Sequence, residues 1–344
     1  MKRRFILLIV VLITVCGPKQ PETASKIQPV WKPTERVTKA HLRGMHVLSE
    51  TVAWASGTEG TVLTTTDGET WRSMQIPSGA ELDFRDIEAF SAQEAIVMSS
   101  GNGVAIYRTS NGGKDWINVY SDSTPEVFFD GFDFLPSGLG VAYGDPVDGR
   151  MAILTTTDHG KTWSALPENL RPVLDSNEAG YAASGTGVVL TDTVFYIATG
   201  GGPKSRIFEF DLTGQLKKEY LIPIESNPGS GIFSICSFPD HGFAAVGGSY
   251  LDSTNARSNC AILQRGSSWL GITVQNPRGY RSCVASNDDG SMLVAAGRTG
   301  SDLSYDGGLT WRPMGNEGYF TCDLHGTAGW AAGRNGKMAK LSFD

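Results

Sequence analysis

One phrase recurs along this chain and decides what it can fold into. Its fullest form is Ser304-Tyr305-Asp306-Gly307-Gly308-Leu309-Thr310-Trp311. It returns as Thr156-Thr157-Asp158-His159-Gly160-Lys161-Thr162-Trp163 and as Thr109-Ser110-Asn111-Gly112-Gly113-Lys114-Asp115-Trp116, with a shortened copy at Thr66-Asp67-Gly68-Glu69-Thr70-Trp71. Each copy follows a β-prone apolar run such as Thr61-Val62-Leu63 or Val104-Ala105-Ile106-Tyr107. A strand, an Asp/Asn-Gly turn and a second strand make a hairpin: the Asp or Asn side chain bonds backbone N–H groups of the turn, and Gly accepts the positive φ. The Trp then covers a neighbouring layer with its large ring. A repeat of roughly 40 to 50 residues is the length of one propeller blade, so the chain is an array. Asp67, Asn111, Asp158 and Asp306, with Trp71, Trp116, Trp163 and Trp311, are accordingly read as structural staples rather than as metal ligands or acid catalysts.

Counting the marker gives the architecture. Between Trp163 and Trp269 there is room for two blades. The first keeps only the turn Phe208-Glu209-Phe210-Asp211-Leu212-Thr213-Gly214, and the second keeps Trp269 without the Asp. After Trp311 three strand-like runs remain before the chain stops. The missing fourth strand is supplied by Val30-Trp31-Lys32-Pro33, which echoes Thr310-Trp311-Arg312-Pro313. The expected fold is all-β: a seven-bladed β-propeller of four-stranded antiparallel blades, closed by the N-terminal strand joining the C-terminal blade. Closure leaves only short, protected edges. Gly at 42 positions suits many tight turns, and no helical periodicity competes.

The N-terminus reads as an export signal. Lys2-Arg3-Arg4 precedes the apolar run Phe5 to Ile13, which is too short for a spanning helix, and Ile13-Thr14-Val15-Cys16 resembles a lipobox. The expected division is 1–15 signal peptide, 16–29 lipidated Cys16 and flexible tether, and 30–344 propeller. Val15 departs from the small residue usual before the modified Cys, which leaves simple secretion or an uncleaved anchor as alternatives. The expected localisation is the periplasm or cell envelope, with membrane contact through the lipid anchor alone. Cys236, Cys260, Cys283 and Cys322 are expected as small buried residues between blades, with disulfides left open. Five scattered His and no close Cys or His pair give no metal site, and no motif indicates a cofactor. A net charge of −7 argues against nucleic acid.

The repeated turns occupy one face, so non-repeating loops on the other face mark where a ligand would bind. Gly144 to Arg150, Ala183 to Thr186, Gly200 to Arg206, Gly247 to Asn259, Gly279 to Ser282 and Gly297 to Asp302 lie there. Repeat alignment places Arg85, Asp130, Glu178 and Arg281 at the channel mouth, with Arg150, Lys204, Arg206 and Arg298 in adjoining loops. Asp145, Asp148, Tyr250, Tyr280 and Asp302 complete the ligand-binding candidates. An arginine cluster suits a carboxylate, phosphate or sulfated ligand. The same arginines could instead pair with Asp130, Asp145, Asp148, Glu178 and Asp302 to tie loops together, and both readings stand.

The turn phrase is the Asp-box, or BNR, pattern, and the chain resembles BNR-repeat β-propellers. Sialidases of that group carry an Arg-Ile-Pro or Arg-Leu-Pro element, for which Leu170-Arg171-Pro172-Val173 is in the wrong order and mid-chain. Over residues 30–344 the likeness is to the photosystem II assembly-factor family of the Ycf48 type and its bacterial exported relatives, often labelled oxidoreductase. The carrying phrases are Gly144-Asp145-Pro146-Val147-Asp148-Gly149-Arg150, Ala183-Ser184-Gly185-Thr186, Gly279-Tyr280-Arg281-Ser282 and Gly300-Ser301-Asp302-Leu303-Ser304. That resemblance implies an exported propeller that binds assembly partners; taken with the arginine cluster, the expectation is a monomeric binding or assembly module for a protein partner, an anionic small molecule or a glycan, rather than an enzyme. The alternatives are a glycan-active hydrolase with carboxylates at the channel mouth, drawn from Asp130, Asp145, Asp148 and Glu178, and an oxidoreductase on the label alone.

Overall fold

In the computed structural model, which describes residues 28–101, 103–239, 242–263 and 275–343, seven antiparallel sheets follow one another around a central channel. Their innermost strands are Leu42–Val47, Asp83–Ala89, Phe129–Phe134, Val188–Leu190, Ser230–Phe238, Cys283–Ser286 and Thr321–His325. Six sheets have four strands. The fifth shows three; the expected fourth, with Trp269, lies outside the described residues, as do the expected signal segment and Cys16.

The seventh sheet closes the ring as expected. Pro29–Pro33 pairs antiparallel with Met338–Phe343, Trp31 opposite Leu341. Trp31 rests on the sixth blade, its ring centroid 6.1 Å from that of Tyr319 and its Nε1 donating to Ser301 Oγ at 3.1 Å.

The core is divided among the blade boundaries. Among the described residues the buried apolar side chains form seven clusters, one at each boundary. A sheet hydrophobic on both faces must bury each against a neighbour, and ring closure satisfies every face at once. Each repeated Trp packs backward: Trp71 onto Trp330 of the seventh blade (4.9 Å, edge-on) and Trp116 onto Trp54 of the first (6.4 Å). The boundary between the third and fourth blades lacks such a Trp and is filled by Phe195, Phe208 and Phe210, with Phe195 and Phe210 stacked at 4.7 Å.

The repeated turns have the geometry their residues dictate. Asp67 Oδ1 accepts from the backbone N–H groups of Glu69 (2.9 Å) and Thr70 (2.7 Å). Asp158 accepts from Thr162 N at 3.0 Å and Thr162 Oγ1 at 2.7 Å, while Thr156 Oγ1 donates to it at 2.7 Å. Against a raising effect of desolvation, these bonds hold the Asp158 carboxyl at about 2. In the fourth blade Asp211 binds Thr213 N and Gln215 N in the same manner without a Trp. Asp158→Ala is expected to cost about 1 kcal/mol, as for the loss of a side-chain cap, read as a lower urea midpoint at unchanged slope.

Candidate functional site

Two features build the face opposite the repeated turns. The first is the connection from the third to the fourth blade, residues 166–187, which crosses the channel and plugs it. The segment Gly180-Tyr181-Ala182-Ala183-Ser184-Gly185-Thr186-Gly187 is almost all small residues, so its backbone can approach several blades together. Arg85 of the second blade donates to Ala182 O at 3.1 Å. Tyr181 stacks on Phe233 of the fifth at 3.8 Å and donates to Ser230 O at 3.0 Å. Ser184 Oγ donates to Ser282 O of the sixth at 2.7 Å, and Thr186 Oγ1 bonds Ser234 Oγ at 2.6 Å. Gly185 has φ +79, and a Cβ there would stand 2.2 Å from the Asp86 carboxyl carbon, so no other residue fits. Ala183 to Thr186, expected as a surface loop, is therefore largely interior: polar side chains of a short connection satisfied the buried backbone and let it turn inward.

The plug changes what the expected site residues can do. Glu178 is 1% exposed. It receives Arg206 Nε at 2.8 Å and Thr199 Oγ1 at 2.6 Å, with Arg206 Nη2 also on its carboxylate. Arg281 is 0% and Asp302 1% exposed; Arg281 Nε donates to Asp302 Oδ2 at 2.9 Å, and Arg278 Nε reaches Oδ1 at 2.8 Å. Arg206, Arg281, Glu178 and Asp302 are thus ion-paired within the scaffold. Asp130 is buried beneath the plug and close to Asp145, and each keeps one buried oxygen with no hydrogen-bond partner among the described residues. Burial, then the Asp145 charge, pushes the Asp130 carboxyl well up, and desolvation raises Asp145 to about 6. Asp148 is exposed in a left-handed turn (φ 52), and Arg150 donates to Arg171 O at 2.9 Å beside Glu168. Arg85 pairs with Asp83 at 2.8 Å. Tyr280 is buried edge-on to Phe233, whereas Tyr250 is 38% exposed.

The second feature is a basic groove of about 570 Å³ lined by His41, Arg43, Arg298, Gly318, Phe320, Arg334 and Lys337, with no carboxylate in its wall. The Arg43 guanidinium lies 4.5 Å over the Phe320 ring, and its Nε has no hydrogen-bond partner among the described residues. Burial, reinforced by the charge of Arg85, lowers its pKa. Arg298 sits about 6 Å from both Tyr250 and Tyr280 and donates weakly to Tyr250 O at 3.3 Å. Lys337 at the rim pairs with Glu317. Sequence reasoning named Arg298 but missed Arg43, Arg334 and Lys337. The signal for Arg43 was present. It occupies the first-strand bulge of the first blade as Arg85 does in the second, since the register shifts at Leu42/Gly44 and at Phe84/Asp86 alike.

No protein-family model and no curated protein matches the chain. Among solved structures it is similar to one described as YCF48 bound to D1 peptide, with a TM-score of 0.65 and 16% identity over 92% of this chain and 96% of that one. It is also similar to YCF48 from Cyanidioschyzon merolae, with a TM-score of 0.59 and 19% identity over 91% and 98% of the two chains. At these identities the likeness establishes the fold, a seven-bladed propeller of the YCF48 kind.

Proposed function

We propose that this chain is an exported, lipid-anchored binding module that holds a protein partner by an acidic segment laid in the basic groove. The observation that carries the reading is the groove itself: Arg43, Arg298, Arg334 and Lys337 converge without a carboxylate in the wall, on a protein of net charge −7. Positive residues gathered against the overall charge, with an aromatic floor at Phe320, suit bidentate capture of carboxylates and exclude a cationic partner. The neighbouring YCF48 structure described with a D1 peptide supports a peptide ligand. Export and anchoring rest on Lys2-Arg3-Arg4, the apolar run and Cys16. The glycan-hydrolase alternative is left with Asp130, Asp145 and the exposed Asp148, and Asp130 lies under the plug instead of in an open cleft.

The test is fluorescence anisotropy with a labelled peptide rich in Asp and Glu and ending in a free carboxylate. Saturable binding that weakens with salt is expected, and Arg43→Ala or Arg298→Ala should weaken it about 10-fold or more. Equal affinity in both variants would remove the groove from the account. Glycoside turnover abolished by Asp145→Asn would replace binding by hydrolysis.

A further inference from the structure

The channel stays open at the end bearing the repeated turns, below the plug, as a cavity of about 330 Å³. Its polar wall comes from the innermost strands: His46 of the first blade, Asp86 and Glu88 of the second, Asp133 of the third and Asp323 of the seventh. Ser237, Ser286 and the buried thiols Cys236 and Cys322 complete it on the side of the fifth, sixth and seventh blades, and Val189 on that of the fourth.

These groups stitch blades together. Asp323 Oδ2 accepts from Val47 N across the closing boundary at 2.6 Å. His46 Nδ1 lies 3.0 Å from Glu88 Oε2 across the next. Asp86 accepts from Phe132 N at 2.8 Å and Asp133 from Leu190 N at 2.6 Å. Three carboxylates, Glu88, Asp133 and Asp323, therefore face one imidazole in a confined space, with Asp86 buried beside them. Fully ionised, they would repel one another across the boundaries they join. Protons on His46 and on the buried carboxylates relieve that repulsion.

We infer that this cluster is a proton-operated clamp on the ring: protons held among His46, Glu88, Asp133 and Asp323 keep like charges from facing one another across the boundaries around the first blade, and losing them unpairs His46 from Glu88 and loosens the ring. The titration behaviour agrees with the geometry. Burial lowers the His46 pKa, but the Glu88 charge and hydrogen bond outweigh it and raise it to about 9. Burial, then Glu88, raises Asp133 to about 7, and burial raises Asp323 to about 6 and Asp86 well above its ordinary value. The hydrogen bond to Cys283, then burial, holds the Cys322 thiol well up, and burial raises that of Cys236.

Asp86, Asp133, Asp323 and His46 bind protons more tightly folded than unfolded. The His46 contribution is complete below 6.5 and lost as pH rises through about 9, and the contribution of Asp133 and Asp323 declines from 3.8 up to about 7. At the acid end Asp158 acts oppositely, losing its contribution below 3.8. Maximal stability then lies in mildly acidic solution, near pH 4 to 6, instead of near neutrality.

Thermal melts of the whole chain between pH 4 and 9.5 test this. The wild-type Tm is expected to fall on the order of 5 °C from pH 6 to 9, and His46→Gln to flatten that interval. An NMR titration of the His46 ring, assigned by substituting the other histidines, should have its midpoint near 9, returning toward 6.5 in Glu88→Gln. A wild-type midpoint at or below 6.5, or an undiminished pH slope in His46→Gln, overturns the proposal. If His46→Gln does not fold, the wild-type midpoint decides alone.

Discussion

Asp302→Ala is expected to lower unfolding stability by about 3–5 kcal/mol. Asp302 is the counter-charge of Arg281, whose side chain is entirely buried, and it receives Arg278 through both the backbone N–H (2.9 Å) and Nε (2.8 Å). Burial lowers the Arg281 pKa even beside Asp302, which shows how unfavourable the guanidinium would be there alone. Removing the carboxylate strands one buried charge and frees Arg278, whose other bonds reach Ser301 O, Gly315 O and Asn316 Oδ1. The paired replacement Asp302→Leu with Arg281→Met removes both charges and should recover most of the loss. Urea unfolding of the wild type and the two variants measures this. A single-variant loss below about 1 kcal/mol would mean that water or local rearrangement solvates Arg281. The same reasoning bears on binding experiments: weaker partner capture by Arg281→Ala would report a damaged loop face, because Arg281 itself is out of a ligand's reach.

A chain starting at Thr34, lacking the closing strand, is expected to lose more than about 3 kcal/mol and to associate as its concentration rises. Five paired positions, from Pro29 opposite Phe343 to Pro33 opposite Ala339, would be lost, together with the Trp31 ring on Tyr319. Met338–Phe343 would become an outer edge with unpaired N–H and C=O groups and alternate buried residues. A monomer of wild-type Tm by size exclusion and thermal melting would show that three strands suffice for the last blade. Trp31→Ala separates the two effects, since it keeps the backbone ladder and should lower Tm without association.

The legible part of this protein is what is encoded in neighbouring residues. The Asp158 turn is made by Thr156, Asp158, Gly160 and Thr162, all within one hairpin. Such contacts are specified by short sequence, so the phrase, the blade count and the turn-bearing face could be read directly. Trp31 was readable for the same reason, because it repeats a phrase whose partner strand stands at the other end of the chain. The candidate site was legible only in part. Repeat alignment located Arg85, Asp130 and Arg281 near the loop face, but not which of them would be buried.

The sequence by itself determined the repeated turns and the blade count, because each turn is a local hydrogen-bonded unit that folds alike wherever it occurs, and the closing strand, because Val30 to Pro33 repeats the phrase of another blade. Only the tertiary structure decided that residues 180–187 turn inward, that Arg43 keeps company with Arg298, Arg334 and Lys337, and that His46 meets Glu88, Asp133 and Asp323. Those constellations take about one residue from each of several blades. The curvature of a closed ring brings them together, and no spacing along the chain records that curvature.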